Sequence, residues 1–522
     1  MQSLDIPHDE PTLAQHTARM ALLEKAHKEQ ISSRDVAIQQ RDVQIKVLTE
    51  QVRLLKAQKF GPSSEQYSPD QLRLLFNEAE LLAAATADEP DPVVIPAYER
   101  KARGHRKPLP AQLPRVEIIY DLPESEKVCA YDGNALKVIG QDTSEQLDYV
   151  PAKLRVLRHV QLKYGCPCCD QSIKTAYKPA QLLPKCNASP SLLSHIVTAK
   201  YVDGLPLYRQ EAQFERLGVE VPRVTSARWM IKASERLIPL INLMNEHCLA
   251  QPLIHLDETT LQVLKSSKAP QSDHYLWVRC AGPPGKRMVL FDYDASRSGE
   301  VAKRLLPDYY GTILTDGYAG YGAVAGEQTL LHAGCWMHVR RKFDEARKGA
   351  SDARIERNRA AEMLTLIRAL YAIERQLKDN HADDAERLTA RQQRSRPTVE
   401  NIKTWIESQR VQVLPQSLLG KALSYTLNQW PKLIVFLERG DIPLDNNRAE
   451  NVIRPFVIGR KNWLFCDTQA GAHASARLYS LIETAKANGL EPHAYLTRLF
   501  TELPSAQTVD DIEALLPFKP AA

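Results

Sequence analysis

The chain has 522 residues, 43% of them hydrophobic and 25% charged, with a formal net charge of +5. That length and composition predict three or four globular domains at roughly 100–200 residues each, and so weak a charge says little about nucleic acid until its local distribution is read. No run of about 18 apolar residues occurs and no basic start precedes an apolar stretch, so a cytoplasmic protein without membrane span or export signal is expected.

Residues 1–83 form the first region. Between 12 and 58 there is no Pro or Gly, and Ile31, Ile38, Ile45 and Val52 recur every seven residues, with Leu48 and Leu55 three residues after the last two. This predicts a long helix whose a/d seam pairs chains in a coiled coil, although Arg34 and Arg41 interrupt the seam; a helix packed on its own chain is the alternative. Residues 84–114 read as a Pro-rich linker with a basic patch, Arg100, Lys101, Arg103, Arg106 and Lys107. Residues 115–185 alternate apolar and polar positions around cysteines. Cys166, Cys168 and Cys169 sit together, as metal ligands in a reducing compartment do. Residues 186–250 read as helices: one opens at Ser189-Pro190-Ser191, a second ends at Leu217-Gly218, and a third starts near Thr225 with Arg223, Arg228 and Lys232 on or beside it. Helix, glycine turn, helix fits a helix-turn-helix and fits a plain helical bundle equally well.

From 251 to 343 the texture changes. Leu253–Asp257 reads as a strand ending in an acid, Tyr275–Cys280 and Met288–Phe291 as its hairpin partners, Ser298–Leu306 as a helix, Thr312–Asp316 as a fourth strand ending in an acid, and Thr329–Ala333 as a fifth. Three hairpin-joined strands followed by alternating helix and strand are the order of a ribonuclease-H-like domain. Residues 344–440 are charged and helical, an insertion; 441–470 return to the ribonuclease-H-like core with Glu450 on a helix capped by Asp445; 471–522 add C-terminal helices.

In that strand order Asp257 and Asp316 lie on neighbouring strands at one edge, and a helix crossing the edge can bring Glu450 to them. Three such carboxylates suit a pair of Mg²⁺ or Mn²⁺ ions, one ionising an attacking water or 3′-hydroxyl and one stabilising the leaving oxygen in phosphodiester transfer. Asp257 would bridge both ions, with Asp316 and Glu450 each holding one. The rival acids have other readings: Asp445 as helix cap, and Glu258 on the opposite face of the strand from Asp257. Arg340, Arg341, Lys342, Arg454, Arg460 and Lys461 flank the acids and are candidate DNA phosphate contacts.

Leu256-Asp257-Glu258-Thr259, Thr315-Asp316-Gly317-Tyr318, Gly334-Cys335-Trp336-Met337-His338-Val339-Arg340-Arg341-Lys342-Phe343, Asp445-Asn446-Asn447-Arg448-Ala449-Glu450-Asn451 and Gly459-Arg460-Lys461-Asn462-Trp463, in that order, resemble the transposases of the insertion-sequence-66 group over nearly the whole chain. The resemblance implies a DDE catalytic domain with Asp257, Asp316 and Glu450 as its triad. It also implies that DNA, both element terminal repeats and target, is the substrate, and that small accessory proteins of the same element take part. Because two DNA ends must be held together, a homo-oligomer is expected. Cys129, Asp132, Cys166 and Cys169 would form a structural Zn²⁺ site; the group has a cysteine pair in the first half, and Asp132 stands where this sequence lacks the second cysteine. His159 is another candidate ligand, and a metal-free finger is the alternative. Cys335 and His338 also have two-residue spacing, but two ligands do not close a zinc site, so a structural role is expected there.

The expectation is therefore an α/β chain: a ribonuclease-H-like catalytic domain with a helical insertion, preceded by a coiled-coil helix, a zinc-finger-like module and a helical DNA-binding region. A catalytically silent DNA-binding repressor and a nuclease without joining activity are the competing functions.

Overall fold

The uninterrupted run of helix formers after Pro11 gives α1, Leu13–Phe60, a single helix of 48 residues. The computed structural model describes residues 13–60, 154–165, 173–269, 272–327, 330–350 and 354–518. Strands β1, Lys163–Gly165, and β2, Ile173–Thr175, pair antiparallel around the second cysteine cluster. Cys129, Asp132, Cys166 and Cys169, with the basic patch Arg100 to Lys107, lie outside the described residues; His159 is exposed.

Four helices follow: α2, Pro190–Tyr201; α3, Leu207–Arg216; α4, Arg223–Arg236; and α5, Ile238–Leu249. Ser189 caps α2 by accepting the Leu192 N–H, with Pro190 in the first helical turn where its missing N–H removes no bond. Gly218 takes φ of 79° after α3, a conformation that only glycine adopts without strain. The buried faces of these helices, among them Phe214, Met230, Leu240 and Met244, belong to the same core cluster as the sheet that follows. They share one core with the sheet, and Arg223, Arg228 and Lys232 are exposed on α4.

The sheet begins with the meander β3, Leu253–Lys265, β4, Asp273–Ala281, and β5, Met288–Asp294. Helix α6, Gly299–Leu305, leads to β6, Thr312–Thr315; α7, Gly322–Glu327, leads to β7, Leu331–Gly334. The order is β5-β4-β3-β6-β7, antiparallel on one side of β3 and parallel on the other. Asp257 is not at a strand end, as the sequence predicts, but inside the long β3.

Helices α8, Trp336–Gly349; α9, Arg354–Asp379; the short α10, Asp384–Ala390; α11, Arg396–Arg410; and α12, Leu418–Leu433, follow, and all of them but α10 build a second core over the β6–β7 side. A single π-turn, Arg391–Ser395, joins α10 to α11 and buries Arg391, whose guanidinium forks onto Glu374 at 2.8 Å through both Nε and Nη2. Helix α13, Asn447–Trp463, then returns to the sheet and packs against β3 and β4. Its end feeds β8, Cys466–Thr468, which pairs parallel with the far half of β3, Val263 opposite Cys466. Helices α14, Gln469–Ala487; α15, Pro492–Glu502; and α16, Val509–Glu513, close the chain.

The N-terminal helix answers both sequence readings. One side docks on the insertion: Glu50 is 2% exposed and its Oε2 accepts the Leu418 N–H at the start of α12 at 2.9 Å. The other side carries the seam, and Ile31, Ile38, Ile45, Leu48 and Val52 are 45–60% exposed.

Helix α14 runs along β5, where the sheet would otherwise present unpaired backbone groups. Ser480 accepts the Phe291 N–H at 2.8 Å, Thr484 the Val289 N–H at 3.0 Å, and Asn488 the Arg287 N–H at 3.0 Å. Thr484 also donates to the Val289 carbonyl at 3.0 Å and Asn488 to that of Arg287 at 2.7 Å. Residues four apart on a helix thus stand in for a neighbouring strand. The Thr484→Val protein keeps the volume and leaves the buried Val289 N–H without a partner. It is expected to lose about 1–3 kcal/mol in a denaturant titration. A loss below ~0.5 kcal/mol, the range of an ordinary surface change, would refute the role given to that hydroxyl.

Candidate active site

The register of β3 against β6 sets the first two acids. His255 lies opposite Leu314 in this parallel pair, so two residues further on Asp257 and Asp316 stand level on adjacent strands. Adjacent strands run roughly 4.8 Å apart, which brings the two carboxyls to one place. The Asp257 Oδ1 accepts the Glu258 N–H at 2.8 Å, and the Asp316 Oδ1 accepts the Tyr318 N–H at 2.9 Å. A Cβ on Gly317 would stand 2.3 Å from the Tyr425 hydroxyl of α12, so the residue after Asp316 has no room for a side chain.

Glu450 comes from the first turn of α13. The sequence assigns the cap of this helix to Asp445. Instead the cap residue is Asn446, while the Asp445 Oδ1 accepts the Asn447 N–H at 3.2 Å just ahead of the helix. The Asn446 side chain leaves the helix altogether. Its Oδ1 accepts from His255 Nδ1 at 3.0 Å, and its Nδ2 donates to the Leu256 carbonyl at 2.7 Å, one residue before Asp257.

Asp257 feels the charges of the other acids. Burial raises the Asp257 pKa well above its ordinary value, and the charges of Glu258, Asp316 and Glu450 raise it further. Glu258, set aside in the sequence as facing away, is the unexpected member. Its side chain is 2% exposed, Arg297 reaches it at 2.8 and 2.5 Å, and the Tyr321 hydroxyl donates to it. Burial raises its carboxyl as well. Glu450 faces two side chains of α8: the Arg341 guanidinium, with Nη2 at 3.5 Å from Oε2, and the His338 imidazole, with Nδ1 at 3.8 Å from Oε1.

Of the predicted phosphate contacts, Arg341, Lys342 and Lys461 are exposed, and Arg340 and Arg454 are half-buried. Arg460 differs from the expectation: its Nη1 bonds the Thr260 carbonyl and, at 3.1 Å, the Thr260 hydroxyl, so it fastens α13 to β3. The arrangement therefore gathers carboxylates from a strand interior, a strand end and a helix start, with basic residues of α8 and α13 around them. Hard divalent cations suit such a donor set. Glu450 Oε1 is shielded from solvent and makes no hydrogen bond, as an oxygen reserved for a cation would be.

A family model described as the Transposase IS66 family matches residues 185–474, the whole span that carries these acids. The chain belongs to the IS66 transposase family. Three further models of that family match in chain order: Transposase C of IS166 homeodomain at 47–118, the zinc-finger binding domain of transposase IS66 at 126–170, and the IS66 C-terminal element at 480–518. The edge-pairing helix α14 thus reaches into the last of these. Relatives from Sinorhizobium fredii include the uncharacterized proteins y4jD, 32% identical over 89% of this chain and 92% of its own length, and y4qI, 31% identical over 98% and 93%.

The raised Asp257 pKa has a consequence for this IS66 chain without divalent cations. A carboxyl whose pKa rises on folding supports the fold fully below its unfolded value near 3.8, and that support is lost as pH climbs through the folded value. Asp257→Asn removes the loss while keeping an acceptor for the Glu258 N–H. The variant is expected to melt at a higher temperature than the native protein at pH 7 in chelator, and at the same temperature near pH 3. Equal melting at pH 7 would contradict the crowding of charge at Asp257.

Proposed function

We propose that the protein is a DDE-type DNA transposase that cleaves the ends of its insertion element and joins the freed 3′-hydroxyl to target DNA. What supports this reading is the register of β3 against β6, which sets Asp257 level with Asp316 just past the end of β6, together with the charge of Glu450 on α13 acting on Asp257. The sheet order β5-β4-β3-β6-β7 supports a ribonuclease-H-like catalytic domain. Asp257, Asp316 and Glu450 would hold two Mg²⁺ or Mn²⁺ ions. When bound, these supply the charge that ionises the attacking hydroxyl and stabilises the leaving oxygen.

The chain's own residues do the rest. Arg340, Arg341, Lys342, Arg454 and Lys461 hold DNA phosphates beside the acids. Arg341 pairs with Glu450 while the site is without cations, and on DNA binding its guanidinium turns to phosphate. The Tyr321 hydroxyl and Arg297 keep Glu258 satisfied so that its carboxyl does not compete with Asp257. The finger module with Cys129, Asp132, Cys166 and Cys169 takes Zn²⁺ and shapes an end-binding surface. Small accessory proteins of the same element are expected partners. Among the described residues no helix is long and apolar enough to cross a membrane.

With labelled element-end DNA and Mg²⁺, Asp257→Asn, Asp316→Asn and Glu450→Gln are each expected to lower cleavage and strand transfer about a thousandfold or more, since each removes several kcal/mol of transition-state stabilisation. Retained joining by Asp257→Asn overturns the triad, and cleavage without any joining by the native protein reduces the reading to a nuclease.

The exposed seam of α1 favours a homodimer. A second copy covering Ile31, Ile38, Ile45 and Val52 buries apolar surface that water otherwise meets. The double variant Ile38→Glu, Ile45→Glu is expected to sediment as a monomer under conditions where the native chain is a dimer. An unchanged oligomeric state would show that the seam is not the contact.

A further inference from the structure

Helices α8 and α13 start side by side. The Trp336 N–H bonds the Leu444 carbonyl at 2.9 Å, and the Asn446 N–H bonds Cys335 Sγ at 3.3 Å, so the two first turns are locked together. His338 on the first turn of α8 faces Glu450 on the first turn of α13. His338 Nδ1 and Glu450 Oε1 stand 3.8 Å apart, beyond hydrogen-bonding range. Both atoms are shielded from solvent and neither has a hydrogen-bond partner. The two polar atoms face one gap, so a single partner placed between them would satisfy both. Cys335 Sγ completes the group, and the ligand atoms of Cys335, His338 and Glu450 lie within 4.8 Å of one another.

We propose that His338 is a ligand of the divalent cation held by Glu450, so that one of the two ions is bound by an imidazole nitrogen as well as by carboxylate. This deepens the triad reading and rests on it. Bonds of about 2.1 Å from a cation to nitrogen and to oxygen are long enough together to close the gap. A neutral imidazole offers a cation the lone pair of its unprotonated nitrogen. Cys335 is a positioning residue: its sulfur accepts the Asn446 N–H. A nitrogen donor favours Mn²⁺ over Mg²⁺, because imidazole suits later and softer divalent ions better than Mg²⁺. The sequence offers the signal in the Cys335–His338 spacing, but with only two ligands in reach along the chain. The third comes from α13.

The test is pulsed electron paramagnetic resonance on the full-length protein loaded with Mn²⁺, prepared with ordinary and with ¹⁵N-labelled histidine. The expected result is a nitrogen coupling to Mn²⁺ that changes on ¹⁵N labelling and disappears in His338→Ala and in Glu450→Gln. Mn²⁺ affinity falls about tenfold or more in His338→Ala, the scale on which single ligating groups act at metal sites. His338→Gln keeps the bulk of the side chain, should the alanine variant fail to fold, and must also lose the coupling. If Mn²⁺ binding depends on Asp257 and Asp316 but carries no imidazole coupling, or the coupling persists in His338→Gln, this inference fails and the carboxylate site stands. If Mn²⁺ binding ignores Asp257→Asn, Asp316→Asn and Glu450→Gln, the triad reading fails with it.

Discussion

Asn446 divides its buried amide between two partners on β3: His255 donates to its oxygen and its nitrogen donates to the Leu256 carbonyl. With the amide nitrogen committed as donor to a carbonyl, the oxygen must accept, and so His255 must carry its proton on Nδ1. Burial and the nearby charge of Arg448 hold the His255 pKa down at about 4, so the ring stays neutral and the pair stays intact at any ordinary pH. The position of Glu450 depends on this pair. The whole helical insertion separates β7 from α13, and a connection of that length fixes nothing about where its far end lies. What fixes it is a set of bonds made where α13 begins: Asn446 to β3, Asn446 N–H to Cys335, Leu444 to Trp336.

The site so assembled is electrostatically unfavourable by itself. The charges of Glu258, Asp316 and Glu450 all bear on the buried Asp257, while Arg297 and Tyr321 bond Glu258 and Arg341 pairs with Glu450. Burial makes the repulsion worse, because a low dielectric strengthens it and removes the water that would solvate each carboxylate. The surrounding fold has to supply the stability that this cluster subtracts. It does so with two large apolar cores, and with polar bonds placed where backbone would otherwise go unpaired, along β5 and at the Phe436 and Arg439 carbonyls, which Arg391 bonds.

What could be read from the sequence was local. The hydrophobic period of α1, the alternation of the meander, the acids at Asp257 and Asp316 and the helix bearing Glu450 all show within windows of a few residues, and the mixed sheet follows from them. What could not be read depended on partners far along the chain. Asp257 looks like a strand terminus because Glu258, Thr259 and Thr260 are polar, yet β3 runs on to Lys265 because β4 pairs with it as far as Gln262 and β8 pairs with it beyond. Asn446 looks like one of three capping residues; only the fold shows that its amide leaves the helix for β3. Glu258 alternates away from Asp257 as a strand residue must, but the helical segments after β5 and β6 bring Arg297 and Tyr321 to meet it and bury it. The helices from Pro190 to Leu249 read as a separate module by their turn grammar, while their apolar faces belong to the core of the sheet.

The two sides of α1 connect these levels. Glu50 accepts a backbone N–H at the start of α12, a favourable place for a carboxylate because the first N–H groups of a helix have no partner within it. Helix α12 in turn carries Tyr425, which sits over Gly317 beside Asp316. A chain of packed elements therefore runs from the exposed Ile31–Val52 seam, through Glu50 and α12, to the second acid. Helix α1 also packs on α8, which bears His338 and Arg341 against Glu450. A second copy held on the seam would be fixed relative to both acids by packed side chains rather than by a flexible tether, as the proposed joining of two DNA ends to one target would require.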